Sequence, residues 1–349
     1  MKPIISIAHL LASAALALSL PLAAARAATI TSFDVPGAAF TTAVSINSTD
    51  STTGTYANPG DVCTQHGFVR HPDGSLDTFG AQGEPDTVVA TIPGAINDAG
   101  TVGGVFWESS TDCQTYLGAT GFMRSAAGVI TEFALPWNFT FGGMNNPGTI
   151  VGTYSNYGDY RNLHALIHSA GDQTTTFNVP GADATYAYSI NDAGFVTGIS
   201  TLFSTGEQHG YIRDPDGNFT TFDVPNAIWT FPRAINNANE VTGSYAVAQD
   251  GNSHGFIRAA DGSFTFFDVR RGTGIDPVAI NSLGSVTGNF NDTRASRQRG
   301  FVRGVRGHIV KFDPPGSTYT QSVAINRHGD VTGYYVDSNN VQHGYVRVR

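Results

Sequence analysis

Apolar and polar residues alternate along this chain in short runs, and the runs come in groups of four. Between Ala187 and Val224 the group reads AYSIND, FVTGISTL, QHGYIRD and NFTTFDV. Runs this short, rich in Val, Ile, Thr, Phe and Tyr and bounded by turn sequences such as NDAG, PDG and ADG, predict an antiparallel meander of four strands. No helical periodicity of useful length follows the first 27 residues.

The group recurs at a nearly fixed period. Its first run ends in Ile-Asn or Met-Asn at Asn47, Asn97, Asn145, Asn191, Asn236, Asn281 and Asn326, with spacings of 50, 48, 46, 45, 45 and 45. The second run carries a glycine of VTGxY type at Gly54, Gly104, Gly152, Gly198, Gly243, Gly288 and Gly333. The third starts at His66, Thr120, His164, His209, His254, Arg299 and His343, and the fourth ends on Phe79, Phe133, Phe177, Phe222, Phe267 and Phe312. One further copy of the fourth run stands alone at the start, as Phe33-Asp34. Four strands per repeat of 40–50 residues is the pattern of a propeller blade, and seven units predict a seven-bladed, all-β propeller in one domain, 28–349. The stranded run, Ile30 to Val35, is expected to pair with the last third-type run, His343 to Arg349, so that each completes the other's blade and the ring closes without exposed edges.

The first 27 residues alter the picture of where the chain works. Lys2, a continuous apolar stretch and Ala25-Arg26-Ala27 read as an export signal, and removing it takes the formal net charge from −9 to −11. No later stretch is long and apolar enough to span a membrane. The acidic balance, with Lys311 the only lysine beyond Lys2, argues against a nucleic-acid partner. An extracellular or periplasmic, monomeric protein is expected.

The His position and the residue after the last Phe are separated by a constant 14, which sets His209 with Asp223, His254 with Asp268, Arg299 with Asp313 and, through the closing strand, His343 with Asp34. Thr120 and Ala134 lack both partners. A pair written into most blades reads as a fold device and not as a catalytic or metal ring, because active sites are built from residues that differ between repeats. The same reasoning assigns to the fold the arginines that end the third strands (Arg70, Arg124, Arg213, Arg258, Arg303, Arg347) and the Asn of Ile-Asn, expected to bond backbone in the tight first turn. The HGF, HAL and HGY segments, the INxxGxVTGxY runs and the FTTFDVPGA strings resemble the bacterial extracellular HAF repeat family, over nearly all of 29–349. That resemblance implies export and a propeller-like repeat, and no reaction.

Function is therefore sought where the repeat breaks. Loops joining fourth to first strands share one face with loops joining second to third strands, and the latter are most elaborate at 57–65, 107–119 and 155–163. Cys63 and Cys113 fall in such loops of adjacent blades, where a disulfide is geometrically possible, two free thiols being the alternative. Around them the candidate ligand-binding residues are Asp61, Trp107, Glu108, Asp112, Tyr116, Trp137, Tyr157, Asp159, Tyr160 and Trp229. Aromatics beside carboxylates suit sugar stacking with hydrogen bonds. No spacing fixes a catalytic carboxylate pair, no metal set or cofactor motif is present, and DPDG at 214–217 reads as a hairpin turn. The expectation is a non-catalytic binding or scaffold module for a carbohydrate or extracellular protein, with a polysaccharide hydrolase or lyase as the alternative.

Overall fold

The computed structural model describes residues 28–61, 63–81, 87–156, 159–248 and 250–349, the side chains of Asp159 and Tyr160 aside. The export signal expected at 1–27 lies outside the described residues, as does Tyr157. Twenty-eight strands form seven four-stranded antiparallel sheets, with no helix among the described residues.

An opening strand β1 (Thr29–Phe33) precedes blade one, which is β2 (Phe40–Ile46), β3 (Thr52–Ala57), β4 (His66–Arg70) and β5 (Leu76–Phe79). Blade two is β6 (Thr87–Ile96), β7 (Val102–Ser110), β8 (Tyr116–Arg124) and β9 (Ile130–Ala134). Blade three is β10 (Thr140–Met144), β11 (Ile150–Asn156), β12 (Asp159–His168) and β13 (Thr174–Phe177). Blade four is β14 (Ala184–Ile190), β15 (Val196–Leu202), β16 (Glu207–Arg213) and β17 (Phe219–Phe222). Blade five is β18 (Trp229–Ile235), β19 (Val241–Ala246), β20 (Ser253–Arg258) and β21 (Phe264–Phe267). Blade six is β22 (Gly272–Ile280), β23 (Val286–Asp292), β24 (Arg297–Arg303) and β25 (Ile309–Phe312). Blade seven has β26 (Tyr319–Ile325), β27 (Val331–Val336) and β28 (Gln342–Val348), and its fourth strand is β1. The first strands of neighbouring blades touch one another around the ring, so they surround the axis. β1 pairs with β28 from Thr29 opposite Val348 to Phe33 opposite Gly344, closing the seven-bladed propeller.

The repeated residues each have a physical task. Every first strand carries a bulge, and the VTG glycine stands opposite its leading residue, as Gly54 does opposite Ala43. A Cβ on Gly54 would lie 1.9 Å from the Thr42 carbonyl oxygen, so no larger residue fits while the bulge persists. The glycine after the histidine is covered by the fourth-strand phenylalanine: a Cβ on Gly255 would sit 2.4 Å from the Phe267 ring. Blade three has Ala165 there, opposite Phe177.

Contacts between blades are equally regular. Each third-strand arginine lays its guanidinium over the fourth-strand phenylalanine of the preceding blade, from Arg70 over Phe33 at 5.0 Å to Arg347 over Phe312 at 5.2 Å. In blade three His168 takes the place of arginine and stacks on Phe133 at 3.7 Å. Each arginine contact contributes about 0.5–2 kcal/mol. A hydrophobic cluster fills each interface, for example Val69 of blade one with Val102, Phe106 and Phe122 of blade two.

The asparagines do more than close their turns. Asn281 Oδ1 accepts from the backbone of Leu283 and Ser285, while its Nδ2 donates to the Asn326 carbonyl of the next blade at 2.9 Å. Equivalent Nδ2 bonds run from blade to blade, and Asn326 completes the circle by donating to the Asn47 carbonyl at 3.1 Å. The turn bonding was legible in sequence; the circumferential bond was not.

Candidate functional site

The elaborated loops are tied down locally. Cys63 and Cys113 form a disulfide, Cα atoms 6.0 Å apart, that joins blades one and two. Asp61 accepts from the Asn58 backbone and side chain and lies 3.2 Å from His66 Nε2. Asp112 accepts from Ser110 Oγ and the Gln114 backbone, and these bonds hold its carboxyl below the usual range. Trp107 and Glu108 stand within β7, because strand pairing runs past them to Ser110, and Glu108 lies 3.5 Å from Thr87 Oγ1. Trp107 is 41% exposed. Asp159 and Tyr160 likewise begin a strand, β12. Tyr116 packs edge-on against Trp137 at 4.9 Å, and burial raises the Tyr116 phenol pKa. Trp229 opens β18 in blade five, apart from the loops of blades one to three with which it was grouped.

The histidine and acid positions meet at the strand ends. His209 Nδ1 is 2.7 Å from Asp223, His254 Nδ1 is 2.7 Å from Asp268, and His343 Nδ1 is 2.9 Å from Asp34. Arg299 Nε lies 2.7 Å from Asp313. Among the described residues no group of three or more His, Cys, Asp or Glu is placed to hold a metal ion.

Two cavities lie near the axis. One, of about 460 Å³, is a cup at the mouth formed by the first turns, lined by the Ile-Asn or Met-Asn pairs of all seven blades and by the following residues, including Asp98, Asn146, Asp192 and Arg327. Many of its polar groups are committed to one another: Ser48 N donates to Asp98, Asp98 N to Asn146, Asn146 N to Asp192 and Asp192 N to Asn237. Size alone does not make this the better ligand site, since a ligand would have to displace bonds that hold the ring.

The other cavity, about 250 Å³, lies between blades three and four on the loop face, lined in part by Asn138, Thr140, Phe141, Tyr186 and Tyr188. One of its lining residues, Tyr188, occupies a bulge, and the neighbouring blade carries a second unusual bulge residue, Arg233, outside the lining. The extra residue is valine or glycine in five blades (Val44, Gly94, Gly142, Val278, Val323), whereas blades four and five place Tyr188 and Arg233 there. A bulge re-aims the side chain it carries. Tyr188 stacks on Phe231 of the next blade, centroids 5.2 Å apart, and lies 6.1 Å from the nearly parallel ring of Tyr186. Arg233 covers the Phe231 ring at 4.7 Å and reaches both carboxylate oxygens of Asp276 in blade six, at 3.3 and 3.4 Å. Burial pushes the Tyr188 phenol far above its usual pKa and raises that of Tyr186, so both remain neutral donors. The fully buried Tyr211 hydroxyl donates to the Tyr186 carbonyl at 2.9 Å and anchors that strand.

Sequence reasoning passed over Tyr186, Tyr188, Phe231, Arg233 and Asp276. The signal was present in the first run, which reads TTAVSIN in blade one but TYAYSIN and TFPRAIN in blades four and five.

No family model and no curated protein matches the chain. Among solved structures it is similar to a streptogramin B lyase, with TM-score 0.55 and 13% identity over 92% of this chain and 98% of that one. It is also similar to the β-propeller domain of the Trilobed protease from Pyrococcus furiosus, with TM-score 0.63 and 8% identity over 88% and 95% of the two chains. That domain is described as an open velcro propeller, whereas here β1 pairs with β28. An acylaminoacyl peptidase from Pyrococcus horikoshii gives TM-score 0.59 at 10% identity, over 88% of this chain and 51% of its own. At these identities the likeness shows the propeller fold alone.

Proposed function

We propose that the protein is an exported propeller of the HAF-repeat type that binds carbohydrate, without catalysis, at the cavity between blades three and four. The observation that carries the reading is the bulge residue Tyr188, which lines the cavity with Tyr186 and stacks on Phe231 of the next blade, itself covered by the second bulge residue, Arg233. Aromatic faces take up the apolar face of a sugar ring, while neutral phenols, a guanidinium and the Asn138 and Thr140 side chains supply the few convergent polar groups such a site needs. The disulfide fits an oxidising compartment outside the cytoplasm.

A glycan and polysaccharide array with the intact protein tests this, run beside Tyr188→Ala, Arg233→Ala and, as a control on the outlying aromatic, Trp107→Ala. Binding that falls in the first two variants and survives in the third supports the site. Binding to no glycan, or binding unaffected by both axis variants, overturns it. Product released from a bound polysaccharide would replace the binding reading with a hydrolase or lyase.

A further inference from the structure

On the opposite face, between blades six and seven, lies a groove of about 470 Å³. Three departures from the repeat meet there. Leu283 stands where other first turns carry Ala99, Ala193 and Ala238; Val310 stands where fourth strands carry Thr220 and Thr265; and the hairpin Val305-Arg306-Gly307 replaces the Asp-Gly turns of Asp73, Asp216 and Asp261. Two small or polar positions have thus become larger and apolar, and an acid has become a base. The apolar side chains are not buried by the fold: Leu283, Val305 and Val310 are 67%, 58% and 40% exposed.

The two walls differ in character. Blade six contributes the apolar wall with Arg306 at its tip, and blade seven contributes Arg347 and Arg349. Asp330, buried beside Arg347, offsets one of these charges and leaves Arg306 and Arg349 at the surface. Among the described residues no carboxylate side chain lines the groove, in a chain whose formal net charge is −9. An extended chain directs successive side chains to opposite sides. We propose that this groove binds an extended peptide segment in which apolar and acidic residues alternate, the apolar side chains against Leu283 and Val305 and the acidic ones toward the arginines.

The test is a fluorescence anisotropy titration of the intact protein against a labelled Val-Glu-Val-Glu-Val-Glu peptide. Comparators are the Val-Lys alternating peptide and the block peptide Val-Val-Val-Glu-Glu-Glu. Arg306→Glu and Leu283→Ser, singly and together, probe the two walls; both side chains are exposed, and the single variants carry the result if the double variant is poorly behaved. The proposal expects the alternating acidic peptide to bind best, the lysine peptide not to bind, and each variant to weaken binding about tenfold, the scale of losing one charge-assisted or well-packed contact. It is overturned if the alternating peptide does not bind, if the block peptide binds equally well, or if the variants change nothing. Binding of dodecanoate in place of the peptide, or self-association abolished by Leu283→Ser, would equally overturn it in favour of an acyl carboxylate or a second copy. The glycan site lies on the other face, so each proposal can fail without the other.

Discussion

The circle of asparagine bonds gives a prediction whose two parts can be measured separately. Asn281 is 5% exposed and makes three side-chain bonds, two inside its own turn and one to the carbonyl of Asn326 in the next blade. Asn281→Ala removes all three, and at about 1 kcal/mol per net hydrogen bond the loss is about 3 kcal/mol. For a domain of this size that lowers the thermal midpoint by roughly 6 °C. Asn281→Asp keeps the acceptor for the turn but sets a carboxylate oxygen against the Asn326 carbonyl, costing about 2 kcal/mol at neutral pH. When protonated, the introduced carboxyl can donate to that carbonyl again. Its neutral form is therefore favoured in the folded state and its pKa is raised by folding, so the stability is present at low pH and lost as pH rises through the folded pKa. Circular dichroism melts of both variants at several pH values between 4 and 8 would show the alanine deficit constant and the aspartate deficit growing with pH. A shift below about 1 °C for Asn281→Ala, or an aspartate deficit independent of pH, would refute the claim that the circle holds neighbouring blades together.

Other consequences follow from the same geometry. Asp50 has a left-handed backbone (φ 64°), and burial together with the neighbouring Asp330 raises its pKa, so its native contribution is lost as pH rises through that pKa; Asp50→Asn is expected to stabilise the protein at pH 7 by about 0.5 kcal/mol, read from urea midpoints, and less at pH 4. Burial lowers the His254 pKa, but the hydrogen bonds its ring donates to Asp268 and Asp250 outweigh it and leave the imidazole raised, so the stability it adds is present in acid and lost as pH rises through the folded pKa; His254→Gln should lower the melting temperature more at pH 5.5 than at pH 8.5. The disulfide closes a separation of 50 residues, and loop entropy sets the cost of the double Cys63→Ser, Cys113→Ser variant at up to about 4 kcal/mol in equilibrium unfolding.

The blades, their number and the closing strand were legible because a stacked repeat writes the same contact seven times, and the unpaired Phe33-Asp34 copy marks the place where the series begins and ends. Positions in that register could be read by alignment of the chain with itself. What could not be read is which residues of different repeats face one another. Asn281 Nδ2 meeting the Asn326 carbonyl, and Arg258 covering Phe222, are contacts between blades that depend on how the sheets pack. In the sequence, Trp229 shares only a face with Trp107, the two falling in different kinds of loop, whereas its place three blades further on follows from counting repeats. Tyr188 and Arg233 cannot be told from other strand residues by the repeat pattern, because the bulge that distinguishes them is a backbone irregularity hidden inside a strand.

The pairing of β1 with β28 also sets an order of events. Asp34 and His343 lie 309 positions apart, and bringing such distant segments together carries an entropic cost that grows as the logarithm of the separation, about 5 kcal/mol beyond its constant part. Every other blade is a local meander and can form as its own residues become available, while β1 waits for β28. Until then β1 and the edge of β28 remain open to other chains. A polypeptide that stops short of β28 leaves β1 without its partner strand, so ring closure reports by topology alone whether β28 has been made.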